Sequence, residues 1–314
     1  MSTDNFFYLM KLIYKIFVIY VTKKKILIIL LFSNFLLKTL MIFQSELMKQ
    51  TMKLVIPINS RDFEKIKNIC KFYKKYIKGI NCLVLIGNEK IKHLIKENKY
   101  IFNMKFKFIN EKSLLDIDKI KKLIVNKNKK AIGRSGWYIQ QFLKMEYSNL
   151  CKEKYYLVWD SDTIPVKEIK MFNNEGKPYF DVKTEYHKPY FATMKKLIPE
   201  LGKKYNYSFI SEHMLIKTEI MKNLINLIDK NLNIPGDKWY EKIINSININ
   251  ELKKSGFSEF ETYGTFVNVY YNHIYEIRHW KSLRKGKLYY KFKSFTFLDA
   301  QNISKNFDAI SFEK

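Results

Sequence analysis

The stretch Tyr155-Tyr156-Leu157-Val158-Trp159 runs without a break into Asp160-Ser161-Asp162-Thr163. A continuous run rich in Val and aromatic residues fits a strand covered on both faces. Such strands belong to parallel sheets wrapped in helices. The two acids then fall at the strand's carboxyl end, where open α/β sheets collect their ligands. On an extended chain residues two apart point the same way. Asp160 and Asp162 are therefore expected to face one pocket, with Ser161 turned away. Buried acids are costly unless they are paired or bind metal. A divalent cation, Mn²⁺ or Mg²⁺, held by these carboxylates and completed by substrate phosphates would meet that need. D-x-D is a short pattern that also occurs as a plain solvated turn, so its weight depends on the rest of the chain.

The segment before it alternates strand and helix. Lys53 to Ile58 reads as a first strand, and Asn59-Ser60-Arg61-Asp62 carries turn and N-cap residues. Phe63, Ile66, Ile69, Cys70 and Tyr73 recur at helical spacing, closed by Gly79. Asn81 to Ile86 is a second strand, Lys90 to Asn98 a helix and Met104 to Ile109 a third strand. This order specifies a mostly parallel central sheet flanked by helices. It also brings the Pro57–Asp62 loop to the carboxyl edge, with Arg61 a candidate phosphate ligand.

Next, Gly133 and Gly136 bracket Arg134 and Ser135 ahead of a helix, whose free N–H groups suit an anion. Trp137, Gln140, Gln141 and Lys144 share one face of that helix. With Arg134 and Asp160 they are the candidate nucleotide contacts. Beyond Asp162, Thr163–Val166, then Met171-Phe172, the turn Asn173-Asn174-Glu175-Gly176 and Tyr179-Phe180 read as a hairpin. Ser208 to Ile216 reads as a strand containing Glu212 and His213, and His187–Leu201, Glu219–Leu232 and Lys238–Leu252 as helices. Glu259 and Glu261 lie among Phe, Tyr and Gly, where burial raises a carboxyl pKa. Lys287 to Lys293 suggests an edge strand in a basic, aromatic tail.

Residues 1–51 have another character. Two apolar runs flank Lys23-Lys24-Lys25, and the second, Ile26 to Phe43, has about the length of a bilayer span but contains Asn34 and Lys38. A membrane anchor, a basic helix on the membrane surface and an upstream start with Met48 or Met52 as the true beginning all fit. The expectation is a hydrophobic helical, membrane-associated extension at 1–51 and a catalytic body at 52–314, on the cytoplasmic side of a membrane or in the cytoplasm.

At 314 residues and 47% hydrophobic, the chain can bury a large core. Its formal charge is +27, yet Arg occurs only at positions 61, 134, 278 and 284. A protein reading bases or clamping phosphate backbones favours the bidentate Arg fork. The charge favours an anionic small molecule or an acidic membrane surface, and no nucleic-acid partner is expected. Cys70, Cys82 and Cys151 form no C-x-x-C pair and read as core thiols.

Four motifs stand in order: Ser135-Gly136-Trp137-Tyr138-x-Gln140-Gln141-x-x-Lys144, then Trp159-Asp160-Ser161-Asp162-Thr163 with Pro165, then Ser211-Glu212-His213-Met214-Leu215, then Ser258-Glu259-Phe260-Glu261-Thr262-Tyr263-Gly264. Together they resemble a family of largely uncharacterised bacterial glycosyltransferases with the GT-A (Rossmann-like) fold, over about Met52 to His279. The resemblance implies a nucleotide-sugar donor, a divalent cation at Asp160 and Asp162, and a saccharide or lipid-linked acceptor in surface-polysaccharide assembly. In such chemistry a cation stabilises the departing diphosphate, and a base near the acceptor hydroxyl takes its proton. Glu259, Glu261 and then Glu212 are the candidates for the base, and His213 or His273 for a third metal ligand. A nucleotidyltransferase would use the same acids and metal, and a non-catalytic basic binder of membranes or nucleic acid is the third possibility.

Overall fold

The computed structural model describes residues 51–98 and 104–313. The apolar segment assigned above to a membrane falls outside them. Among the described residues no helix is long and apolar enough to cross a membrane.

Strand β1 (Met52–Pro57) feeds α1 (Ser60–Tyr76), which starts where the Asn59 side chain accepts from the backbone N–H groups of Arg61 and Asp62. After α1 the chain turns at Gly79, whose φ of 83° is one that side-chain-bearing residues rarely adopt. Next come β2 (Ile80–Gly87), α2 (Glu89–Glu97), β3 (Phe106–Asn110), α3 (Ile117–Lys127), α4 (Ser135–Leu150) and β4 (Tyr155–Trp159). Later elements are β5 (Thr163–Pro165), β6 (Tyr179–Val182), α5 (Lys188–Leu197), β7 (His213–Lys217), α6 (Thr218–Asp229), α7 (Trp239–Ser246), α8 (Ile249–Leu252) and α9 (Glu259–Tyr270). The chain finishes with β8 (Glu276–His279), β9 (Ser282–Leu283), α10 (Phe297–Ile303) and β10 (Ala309–Ser311).

The central sheet has the order β3-β2-β1-β4-β7. β1 pairs in parallel with β2 and β4, and β2 pairs in parallel with β3. β7 closes the edge antiparallel to β4. This is the expected mostly parallel α/β sheet flanked by helices. Alternation along the strands divides two cores. Val55, Val84, Tyr156, Val158 and Ile216 pack with α4 and α6 on one face. Leu54, Leu85, Leu157 and Trp159 pack with α1 on the other. All five β4 residues are buried, as the unbroken apolar run requires.

Two expectations fail and one holds in part. The hairpin forms only around its turn, where Asn173 N donates to the Lys177 carbonyl (2.9 Å), Tyr179 N donates to the Met171 carbonyl (3.0 Å) and Phe172 bridges Pro178 antiparallel, while β5 pairs antiparallel with β10, and β6 pairs in parallel with β8. Both partners come from the end of the chain, beyond the reach of local turn signals. The strand expected from Ser208 begins only at His213, because Glu212 sits in the left-handed region at φ 61° and breaks the extended run. Lys287–Lys293 is no strand: short 3₁₀ turns occupy Gly286–Leu288 and Phe292–Ser294.

Candidate active site

The chain leaves the extended conformation at Trp159. A backbone hydrogen bond from Thr163 N to the Asp160 carbonyl (3.2 Å) closes a four-residue turn over Asp160–Thr163. Strict alternation is therefore not what places the two acids. Neighbouring strands fix the turn instead: Asp160 N donates to the Glu212 carbonyl (2.9 Å), Phe312 N donates to the Asp162 carbonyl (2.9 Å), and Trp159 Nε1 donates to the Thr163 carbonyl (2.8 Å). The turn stands at the carboxyl end of β4 beside the start of α1. Lys65 and Asp62 of α1 are close enough to act on Asp162 electrostatically, as is Glu313 beyond β10.

Asp160 is held from beneath. Lys144 of α4 is 3% exposed, and its Nζ lies 2.6 Å from Asp160 Oδ1 and 2.8 Å from Glu259 Oε1. Burial pulls the ammonium pKa down, but the two carboxylates outweigh it and hold Lys144 above its usual value. Its Nζ also sits 4.4 Å from the Phe260 ring centroid. Asp162 has no such partner. Among the described residues no side chain or backbone N–H donates to its carboxylate. Burial first, and then the charge of Asp160, raise its pKa to about 6. Burial likewise raises Glu259 against the pull of Lys144.

Most of the α4 motif serves one loop. Arg134 Nε donates to the Lys254 carbonyl (2.5 Å) and its Nη2 to Ser255 Oγ (2.9 Å). The Tyr138 hydroxyl accepts from Gly256 N (3.1 Å), and Gln141 Oε1 accepts from Glu259 N (3.0 Å). Residues 134, 138, 141 and 144 thus form a stripe along α4 that seats the 254–259 loop and delivers Glu259 to Asp160. This corrects the expectation for Gln141, both of whose amide atoms are committed to protein, and narrows it for Arg134, whose Nε and Nη2 are engaged by the loop. Trp137 and Gln140 are half-buried on the same side of α4, and the Gln140 amide has no protein partner among the described residues. Arg61 is exposed in the first turn of α1, at the same edge of the sheet.

Across this ensemble of helix, loop and turn, a family model described as "Family of unknown function (DUF6492)" matches residues 33–294. The chain belongs to that family. No protein with a curated description matches this DUF6492 chain. Among solved structures it is similar to mouse xyloside xylosyltransferase 1 in its apo form, with 12% identity over 83% of this chain and 97% of that one and a TM-score of 0.42. It is also similar to the galactosyltransferase LgtC in complex with donor and acceptor sugar analogs, with 10% identity, 84% and 87% coverage and a TM-score of 0.39.

The remaining candidates of the DUF6492 chain are bound into the scaffold. Glu261 is 2% exposed and its Oε2 accepts from Ser208 Oγ (2.5 Å) and Phe209 N (3.1 Å). Glu212 accepts from Lys183, from Ser282 Oγ (3.0 Å) and from Trp280 Nε1 (3.0 Å). His213 is not free to ligate a metal, since its Nδ1 lies 2.9 Å from the Ser211 carbonyl and its Nε2 2.8 Å from Asp181 Oδ2. His273 is exposed beyond the C-terminus of α9. The whole length of α9, roughly 18 Å, separates the end near His273 from Glu259 at its start. Among the described residues no cluster of three or more His, Cys, Asp or Glu could hold a metal. Lys183, Asp181, Arg284 and Glu313 were not foreseen as neighbours of the acid turn. Asp181 lies in β6, and Lys183, Arg284 and Glu313 follow β6, β9 and β10, whose pairing is long-range.

Proposed function

We propose that this DUF6492 protein is a metal-dependent glycosyltransferase that moves a sugar from a nucleotide-sugar donor to a saccharide or lipid-linked acceptor. The observation that carries the reading is the contrast within the acid turn: Asp160 is oriented by a buried ammonium, while Asp162 is partly buried and without a partner. A carboxylate kept from water in that state gains from an external cation. The donor set fits a hard divalent ion, since Asp160 offers Oδ2 and Asp162 its whole carboxylate. With only two acids, oxygens of the donor diphosphate would complete the shell. When bound, such a cation supplies positive charge to the diphosphate as it leaves.

The chain's own residues do the rest. Lys144 fixes the orientation of Asp160. Glu259 shares that ammonium, which makes it the candidate carboxylate nearest the reacting centre. Gln140 and Trp137 share the face of α4 that carries Lys144 and are the proposed contacts for a sugar or base, with the Trp137 ring stacked by the Arg134 guanidinium at 4.3 Å. In the reaction the bond between the anomeric carbon and the diphosphate oxygen breaks, the acceptor oxygen forms the new bond, and its proton passes to a carboxylate base, for which Glu259 is the first candidate. Glu261 and Glu212 support the loops on either side. A role in cell-surface polysaccharide assembly and a site on the cytoplasmic face of the membrane belong to the same proposal.

The test is a thermal-shift screen of nucleoside diphosphates with Mn²⁺ or Mg²⁺, followed by product analysis with nucleotide-sugars. Metal-dependent stabilisation by a nucleoside diphosphate and release of that diphosphate on turnover are expected. Release of pyrophosphate would instead mark a nucleotidyltransferase. Normal turnover by Asp162→Asn would sink the reading.

A further inference from the structure

We infer that the arm from Arg284 to Leu298 is a docking surface for an anionic lipid bilayer. This stretch holds five basic residues and no acid. Lys285, Lys287, Lys291 and Lys293 are all exposed, and none has an ion pair among the described residues. Between them stand large apolar side chains in solvent: Leu288 is 69% exposed, Tyr289 67% and Leu298 66%. With Phe297, four of the twelve exposed large hydrophobics among the described residues fall within these fifteen positions. Scattered singly they would need no explanation, but gathered beside unpaired lysines they mark a contact surface.

The arm is anchored, so the apolar side chains are presented and not merely loose. Tyr290 packs edge-on against Phe295 (5.4 Å between ring centroids), and Phe292 against Phe312 (4.9 Å). Phe297 packs on Phe72 of α1 at 4.6 Å. That helix adds Lys71 and Lys75, exposed and without ion pairs, whose ammonium groups lie 5.6 and 4.2 Å from the Phe297 ring centroid. Two exposed apolar steps, Leu288-Tyr289 and Phe297-Leu298, are thus joined through aromatic contacts and set among six lysines.

Charge and chemistry select the occupant. Unpaired lysines with interleaved leucine and aromatic side chains match an interface of anionic headgroups over hydrocarbon. A nucleic-acid backbone rewards the charges but gives exposed leucines nothing to enter. The one arginine of the arm is occupied, with Nε 2.5 Å from Glu313 Oε1 and Nη1 on Glu185. A second copy of this chain would bring like charge against like, at +27 each. The inference does not rest on the sugar-transfer reading. The arm begins near the acid turn, where Arg284 Nε is 3.8 Å from the Glu212 carboxylate and the Glu212 carbonyl holds Asp160 N, and it runs to the far end of α1, where Phe297 packs on Phe72.

The test is cosedimentation of the full-length chain with vesicles of phosphatidylcholine alone or with added phosphatidylglycerol, at low and high salt. Residues 1–51 are present throughout, so differences between variants report the arm. Wild type should bind the anionic vesicles more tightly, and salt should weaken that gain. The triple variant Lys287→Gln, Lys291→Gln, Lys293→Gln should lose roughly fivefold per lysine, on the order of a hundredfold together. The double variant Leu288→Ser, Leu298→Ser should bind several-fold more weakly at unchanged charge. Circular dichroism melting would confirm that both variants fold. Unchanged vesicle binding by the triple variant overturns the inference. So does equal, lysine-dependent binding to duplex DNA at the same salt, or lysine-dependent dimerisation without lipid.

Discussion

Two ionic clusters flank the acid turn, and they are balanced differently. On the α4 side, Asp160 and Glu259 share the one buried ammonium of Lys144, and Asp162 next to them has no partner. On the β7 side, Glu212 receives Lys183, Ser282 and Trp280, and Asp181 receives both Arg278 and His213. Both clusters are buried, so burial alone does not separate site from scaffold. What separates them is whether every charge finds its match. Saturated carboxylates hold elements together, whereas a deficit of positive charge calls for something from outside.

The largest effect that would sharpen this contrast is at Asp162. Asp162→Asn is expected to cut donor turnover at least about a thousandfold, ~4 kcal/mol of barrier. Its stability at neutral pH should hold or rise by on the order of 1 kcal/mol, since an unpaired, partly buried charge is removed. Steady-state kinetics with a urea melt on the same preparation measures both. A clear loss of stability would place Asp162 with the scaffold and break the distinction.

Glu212→Ala should behave in the opposite way. It strands the ammonium of Lys183, 11% exposed, and leaves the Trp280 N–H unpaired. Removing one member of a buried ionic group costs about 3–5 kcal/mol. The urea midpoint should fall accordingly, and activity should fall in proportion to the folded fraction. Lys144→Met should show both signatures, a stability loss of similar size and a turnover loss beyond it, because Lys144 stands between scaffold and site.

The two clusters also differ in how far they were legible in the sequence. Strand β4, its acids and the stripe from Arg134 to Lys144 lie in one local stretch, where apolar runs and helical spacing reveal both element and face. Lys144, Asp160 and Glu259 were all picked out, although the ion pairs that join them were not. The β7 cluster gathers Asp181, Lys183, Glu212, Arg278 and Ser282 from segments up to a hundred residues apart. Its strands are short, and their partners are set by tertiary packing that leaves no local period. The Glu212 backbone at φ 61° is likewise invisible in a sequence, since nothing marks a glutamate for the left-handed region. Helical spacing also cannot say whether Arg134 and Gln141 face a ligand or a loop.

A smaller effect tests how tightly the scaffold side is built. Gly264 lies in α9, and a Cβ there would stand 2.1 Å from Phe209 Cγ, a ring whose own backbone N–H is held by Glu261. Phe209 therefore cannot retreat freely. Gly264→Ala should cost about 1–3 kcal/mol by overpacking, despite the better helix propensity of alanine. A gain in melting temperature would show that the 208–210 loop is soft and that Glu261 does not anchor it.

The most delicate test separates the clusters by the sign of their pH response. Burial pushes the Asp181 carboxyl up, but its hydrogen bonds from Arg278 and His213 prevail and hold it below its ordinary value. Its contribution to stability is present above the unfolded value, about 3.9, and is lost as pH falls through the lower folded value. Glu259 runs the other way. Burial outweighs Lys144, so its folded pKa stands above the unfolded one, and stability is gained as pH falls through the folded value. Urea midpoints of wild type should therefore drop at the acid end of a titration, and Asp181→Asn should flatten that drop by at most about 1.4 kcal/mol per pH unit. Glu259→Gln should remove a slope of opposite sign at higher pH. Slopes of the same sign at both positions would mean that the two clusters are equally matched, and the separation of site from scaffold drawn from their charge balance would fail.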